Sequence, residues 1–281
     1  MSVHNDAVYI DAAVQSVLRQ TLPDFELLVV DDASTDGTSE RLAAYDDSRV
    51  RVERNVERSG LAVSLNRGLE LAQGRYLARL DADDVALPER LEEQVAHIRS
   101  DSRLAVVGSA VHDLDEHGAT GKLHRSPLGR TGVRWVALFS SPFFHPTVLV
   151  DRERLAELGL RYDTSFEESE DYDLWTRLLR NADGANVRRA LVLKRLHPGQ
   201  ASRRRGDVQQ AFQQQVALRE IERIAPDVDA ARAWRVGARK QGGSRKEFVA
   251  LLRSFQLEHG RDREVIGAAI RALLSPRRRG A

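Results

Sequence analysis

The sequence predicts an α/β fold: a mostly parallel sheet flanked by helices, with a helical extension at its C-terminal end. Three observations lead there. Apolar runs short enough for buried strands alternate with stretches of helical period through the first third of the chain. Carboxylate-rich segments close two of those runs. From Asp207 onward the pattern is helical almost throughout, with Phe212, Val216, Ile221 and Ile224 on one face. A chain of 281 residues can bury a self-supporting core, and the expected division is an α/β domain over residues 1–206 and a helical extension over 207–281.

From Ala7 to Leu18 the apolar residues Ile10, Val14, Val17 and Leu18 recur at helical spacing, and the helix must stop before Pro23. Phe25 to Val30 then reads as a buried strand, closed by the polar, glycine-ended segment Asp31-Asp32-Ala33-Ser34-Thr35-Asp36-Gly37. A helix over Thr38 to Tyr45, a strand over Val50 to Glu53, a helix over Leu61 to Ala72 and a strand over Arg75 to Leu80 follow. In sheets of this kind ligands bind beyond the carboxyl ends of the strands, so Asp31-Asp32 and Asp81-Ala82-Asp83-Asp84 are expected to face one crevice. Pro88 suits the first turn of a helix carrying Leu91, Val95 and Ile98. Beyond it the signals call for a strand over Leu104 to Val107, irregular chain through Gly132, a strand near Thr147 to Val150, and helices over Arg152 to Leu158 and Asp171 to Leu179.

Composition excludes several classes. Lys and Arg number 43 against 42 Asp and Glu, so no broad positive field favours nucleic acid, and the runs Arg203-Arg204-Arg205 and Arg277-Arg278-Arg279 lack interleaved aromatics. Without cysteine there is no disulfide, thiolate metal site or cysteine nucleophile. No stretch approaches the ~20 apolar residues of a membrane span and the N-terminus lacks the marks of a secretory signal, so the cytoplasm is the expected location. The C-terminal stripe Val265, Ile266, Ile270, Leu273 and Leu274 ahead of Arg277-Arg278-Arg279 admits a packed helix with a solvated tail, or a peripheral membrane contact.

Carboxylates carry the chemistry. The tetrad Asp81-Ala82-Asp83-Asp84 converges directly after a strand, where oxygen ligands suit Mg²⁺ or Mn²⁺; equally, aspartates of this kind form solvated turns and N-caps. Asp31-Asp32 ends the earlier strand in the same way. Glu167-Glu168-Ser169-Glu170-Asp171-Tyr172-Asp173 opens a helix, where acidic residues complement the dipole or one of them serves as general base. His145 and His197 each precede a proline, and either is structural unless it joins an aspartate on a metal.

In order, these segments resemble the family 2 glycosyltransferases, which have the GT-A fold. The matching stretches are Ser16 to Thr21, Phe25 to Thr38, Gly74 through Leu91, and Glu170-Asp171-Tyr172-Asp173-Leu174-Trp175, spanning about residues 1–202. The resemblance implies that Ser2, His4, Asp32, Asp81 and Asp83 contact the nucleotide-sugar donor. His4 would stand where an aromatic residue stacks on the base, Asp32 would pair with the base, Asp81 would lie near the ribose, and Asp83 would hold Mn²⁺ or Mg²⁺. It implies Asp171 as general base with Glu170 beside it, and His197 as a late metal or pyrophosphate contact. The implied reaction is an inverting single displacement from a UDP- or dTDP-sugar onto a hydroxyl of a glycan or lipid-linked glycan, for a cell-envelope, capsular or exopolysaccharide product. One departure stands out: the family's apolar strand of about six residues ahead of the segment matched by Met1 to Asn5 is not in this sequence, so either the true start lies upstream of Met1 or a gap in the sheet is expected. A non-catalytic GT-A-like scaffold or sugar-binding protein is the alternative; a sugar-phosphate nucleotidyltransferase would need a glycine-rich phosphate loop that the N-terminal sequence lacks.

Overall fold

The computed structural model describes residues 1–115, 118, 120–197 and 206–275. Strands β1 (Ser2–Val3), β2 (Leu27–Asp31) and β3 (Val50–Arg54) form a parallel sheet in that order. Every residue of β2 is buried, as a central strand of a covered parallel sheet requires. Its covering helices are α1 (Ile10–Leu18), α2 (Thr38–Ala43) and α3 (Leu61–Leu71).

A second, six-stranded sheet contains β4 (Tyr76–Ala78), β5 (Val85–Ala86), β6 (Leu104–Leu114), β7 (Thr120–His124), β8 (Leu149–Asp151) and β9 (Asp183–Arg195). The order is β4-β8-β6-β9-β5, with β7 paired to β6. Its longest ladder, β6 with β9, is parallel, whereas β4, β5, β7 and β8 pair antiparallel. Four helices accompany it: α4 (Arg90–Arg99), α5 (Arg130–Val136), α6 (Arg152–Glu157) and α7 (Glu170–Leu179). The C-terminal part is helical as expected, with α8 (Gly206–Ile224), α9 (Ala230–Gly237), α10 (Arg245–His259) and α11 (Arg263–Leu274). Asp229, Ser244 and Asp262 cap the last three through their side chains.

Two stretches differ from expectation. The chain after Val107 is not irregular: β6 continues to Leu114, and β7 and α5 follow. Strand β9 was not expected, because Arg188-Arg189 interrupts its apolar pattern. Both arginines are exposed where the register slips between Val187 opposite Ser109 and Ala190 opposite Ala110, a bulge that moves two cations out of the ladder.

The first strand, β1, is two residues long. Met1 extends its ladder, the Met1 amine donating to Leu28 O at 2.8 Å and Val30 N donating to Met1 O at 2.9 Å. Between β2 and β4 lies a cavity of about 710 Å³ lined by Leu28, Val30, Leu65, Gly68, Leu77 and Ala78 among others. The main core packs Trp175, Leu174 and Leu178 of α7 against Val106, Val148 and Val150. A second core joins α8 to α11 to Trp135 and Leu138 at the end of α5.

Candidate functional site

The loop after β4 brings Asp81, Asp83 and Asp84 together, one carboxylate oxygen of each lying within 4.8 Å of the others. His197, beyond β9, reaches the same place, its Nε2 standing 3.0 Å from Asp83 Oδ2. Antiparallel pairing of β5 with β9 is what closes this distance of more than a hundred residues along the chain. Burial holds the Asp81 carboxyl above its ordinary range against the opposing pull of the Arg79 guanidinium, with which it forms an ion pair. Burial, then the Asp81 and Asp83 charges, push Asp84 well above its ordinary range. Asp84 Oδ1 accepts from Arg195 N at 2.8 Å, while Oδ2 is buried with no hydrogen-bond partner. An orphaned carboxylate oxygen in a self-repelling cluster with an imidazole edge fits a hard divalent cation.

Glu170 and Asp171 form the first turn of α7, where the helix amides offer hydrogen bonds to anions. Burial pushes Asp171 up to about 6, offset in part by the Tyr172 amide, Arg79 and the Ser141 hydroxyl. Burial and the neighbouring Asp171 push Glu170 further, to about 8. Near neutral pH the pair therefore shares one proton, held preferentially by Glu170. Behind it sits a buried polar group that the sequence did not reveal: His145 Nε2 is 3.0 Å from Tyr162 Oη, and His145 Nδ1 is 3.9 Å from Glu170 Oε1. Burial holds the imidazole well below its usual pKa, so it is neutral.

Arg79 connects the two acidic groups. It is 5% exposed, pairs with Asp81, and its charge is felt by Glu170, Asp171, His145 and Tyr162. A buried arginine directly after a short strand carries no signal in the sequence; the carboxylates around it explain its burial.

The ends of β1 and β2 contribute the third part. Ser2 lies opposite Val30 in the parallel register. His4 Nδ1 is 2.8 Å from Asp32 O, which ties the ring to the end of β2. Asp32 is 3% exposed and accepts three hydrogen bonds, from Asn55 Nδ2 and Ser59 N on Oδ1 and from Gly60 N on Oδ2. Burial raises its pKa, but the bonds from Ser59, Asn55 and Gly60 outweigh it and hold the carboxyl below its ordinary range. Asp32 thus organises the Ser59-Gly60 turn from inside the protein. Asp6, which sequence reasoning passed over, is pushed up to about 6 by burial and by the Asp83 charge, so the end of β1 and the acidic cluster share one electrostatic neighbourhood.

Residues 1–158 match the family described as Glycosyl transferase family 2. Putative glycosyltransferase EpsE of Bacillus subtilis is 33% identical over 196 residues, 68% of this chain and 69% of that protein. The amylovoran biosynthesis glycosyltransferase AmsE of Erwinia amylovora is 30% identical over 203 residues, 70% of this chain and 74% of that protein. An uncharacterized glycosyltransferase of Haemophilus influenzae is 31% identical over 209 residues, 71% of this chain and 65% of that protein, so the chain spans just under two thirds of that relative. Among solved structures, S. aureus TarS 1-349 in complex with UDP-GlcNAc superposes with a TM-score of 0.62 at 18% identity, covering 96% of this chain and 79% of that one. At that identity the likeness is one of fold.

Proposed function

The chain belongs to glycosyl transferase family 2, and from that premise we propose that it moves a sugar from a nucleotide-diphosphate donor to a hydroxyl of a cell-envelope or exopolysaccharide glycan, with inversion. The observation that carries this proposal is that one buried arginine reaches two acidic groups: Arg79 is ion-paired with Asp81 of the Asp81-Asp83-Asp84 cluster, and its charge is felt by Glu170 and Asp171. Asp171, the more acidic member of its pair, takes the proton of the acceptor hydroxyl. The acceptor oxygen forms its bond to the anomeric carbon as the bond from that carbon to the diphosphate oxygen breaks on the opposite face. Glu170 remains protonated beside it and leaves the negative charge on Asp171.

Asp83 and His197 would hold Mn²⁺ or Mg²⁺, with Asp81 toward the ribose; such a cation supplies charge compensation for the diphosphate. Ser2, His4 and the turn held by Asp32 form the base and ribose end of the donor site. A UDP- or dTDP-hexose is the proposed donor: TarS binds UDP and UDP-GlcNAc. Relatives named for amylovoran, O-antigen and teichuronic acid biosynthesis support a glycan or lipid-linked glycan acceptor. Residues 1–206 form the transferase domain and 207–281 the extension. Among the described residues no helix is long and apolar enough to cross a membrane. We place the enzyme at the cytoplasmic face, where the exposed stripe Ile266, Ile270 and Leu274 on α11 offers a peripheral contact.

The test is transfer from labelled UDP- and dTDP-sugars with Mn²⁺, with and without EDTA. Asp171→Asn should lower transfer by ~10²- to 10⁴-fold with donor affinity retained, and wild-type transfer should decline as pH falls through about 6, where Asp171 takes up a proton. Undiminished transfer by Asp171→Asn removes the assigned base.

A further inference from the structure

Helix α7 carries the Glu170-Asp171 pair on its first turn, and its opposite flank is buried against α8, the first of the C-terminal helices. The contact is ionic. Asp173, 1% exposed, accepts from Arg177 Nε at 2.8 Å and from Arg219 Nη1 at 2.6 Å. Arg219 Nη2 donates to Thr176 Oγ1 at 2.7 Å, and its Nε donates to Glu220 Oε1 at 3.0 Å. One guanidinium on α8 therefore grips two residues of α7 and braces itself on its own helix. Glu220, 3% exposed, also pairs with Arg180, which caps the C-terminal end of α7, and with Arg223 of α8. Although burial works to raise it, Arg180 and Arg219 hold its carboxyl below the ordinary range, so the network is charged.

A second contact works from the other side. Tyr172 Oη donates to Ala137 O at 2.6 Å, at the end of α5, whose Trp135 and Leu138 belong to the core of the C-terminal helices. Tyr172 and Asp173 directly follow Asp171, so both residues that fix the turn are anchored to the C-terminal helices or to the segment they pack upon.

Building on the proposed transfer reaction, we propose that Arg219 is a positioning residue: through Asp173 and Thr176 it sets the placement of the Asp171 carboxylate, making the C-terminal helices part of the catalytic apparatus. Surface ion pairs contribute little, but this one ends on a buried carboxylate, and removing the guanidinium leaves Asp173 with Arg177 as its one cation among the described residues. The turn then has room to shift. Displacement of a reacting group by about an ångström costs up to ~10²-fold in rate.

Arg219→Met and Arg219→Lys would be compared with the wild type in the full chain, by steady-state kinetics well below the melting temperature and by hydrogen exchange of residues 169–177. The expected result is a kcat lowered about 10- to 100-fold in Arg219→Met, an unchanged donor KM, and faster exchange in the α7 first turn. Arg219→Lys recovers part of kcat, since it keeps the charge but not the fork that reaches three partners. A merely structural role would lower the melting temperature and leave kcat intact; that outcome overturns the proposal, as does unaltered exchange in α7. A wild-type protein without transfer would instead refute the transferase proposal, and hydrogen exchange would still decide whether Arg219 holds the turn.

Discussion

Glu170→Gln tests the electrostatics of the site without relying on a substrate. Glu170 is 7% exposed, and burial together with Asp171 raises its pKa from 4.5 to about 8. Between those two values the unfolded chain releases a proton that the folded chain keeps. Folded-state stability is therefore fully present below 4.5 and is lost as pH rises toward 8, at ~1.4 kcal/mol per pH unit. At pH 7, roughly 2.5 pH units above the unfolded value, the wild type has lost about 3 kcal/mol, with a range of about 2 to 4. Glutamine has nearly the same shape and does not ionise, so the variant escapes this loss. Urea denaturation of both proteins at pH 5, 6, 7 and 8 should give stabilities within about 1 kcal/mol at pH 5 and a gap favouring Glu170→Gln that widens to about 3 kcal/mol at pH 7. A gap that does not change with pH would refute the assignment of a raised pKa to Glu170. A wild type more stable at every pH would show that the carboxyl makes contacts an amide cannot.

Two further outcomes follow from geometry. Mn²⁺ at a hundredfold excess over its dissociation constant should stabilise the wild type by ~2.7 kcal/mol; Asp83→Asn should abolish this gain in a thermal-shift titration, and an undiminished gain would place the cation elsewhere. Gly68, inside α3, faces the cavity between β2 and β4, and a Cβ there would meet only Val30 Cγ2, at 3.9 Å. Gly68→Ala should therefore add about 1 kcal/mol from helix propensity alone and raise the melting temperature by ~2–4 °C; a lower melting temperature would mean that the cavity is filled in solution.

The carboxylates of the site were legible because they sit where a local pattern ends. Asp31-Asp32 and Asp81 to Asp84 each close an apolar run, Glu170-Asp171 opens an amphipathic helix, and such boundaries need only a few neighbouring residues to be seen. His197, proposed as a cation contact, was within reach through resemblance, and its 3.0 Å approach to Asp83 came only with the pairing of β5 and β9. Arg79, the His145–Tyr162 pair and Asp6 were not legible, since each is an ordinary residue type made consequential by burial next to groups far away in sequence. Strand β9 was obscured by Arg188-Arg189, whose exposure in a bulge depends on the partner strand.

The sequence by itself determined the alternation of strands and helices, the helical C-terminal part and the identity of the acidic groups, because periodicity and turn chemistry act over a single element. Tertiary structure alone decided which carboxylates face each other, which of them keep a proton, and that a C-terminal arginine grips the helix bearing the candidate base. Those properties follow from desolvation and Coulomb interaction, which depend on distance in space and burial rather than on separation along the chain.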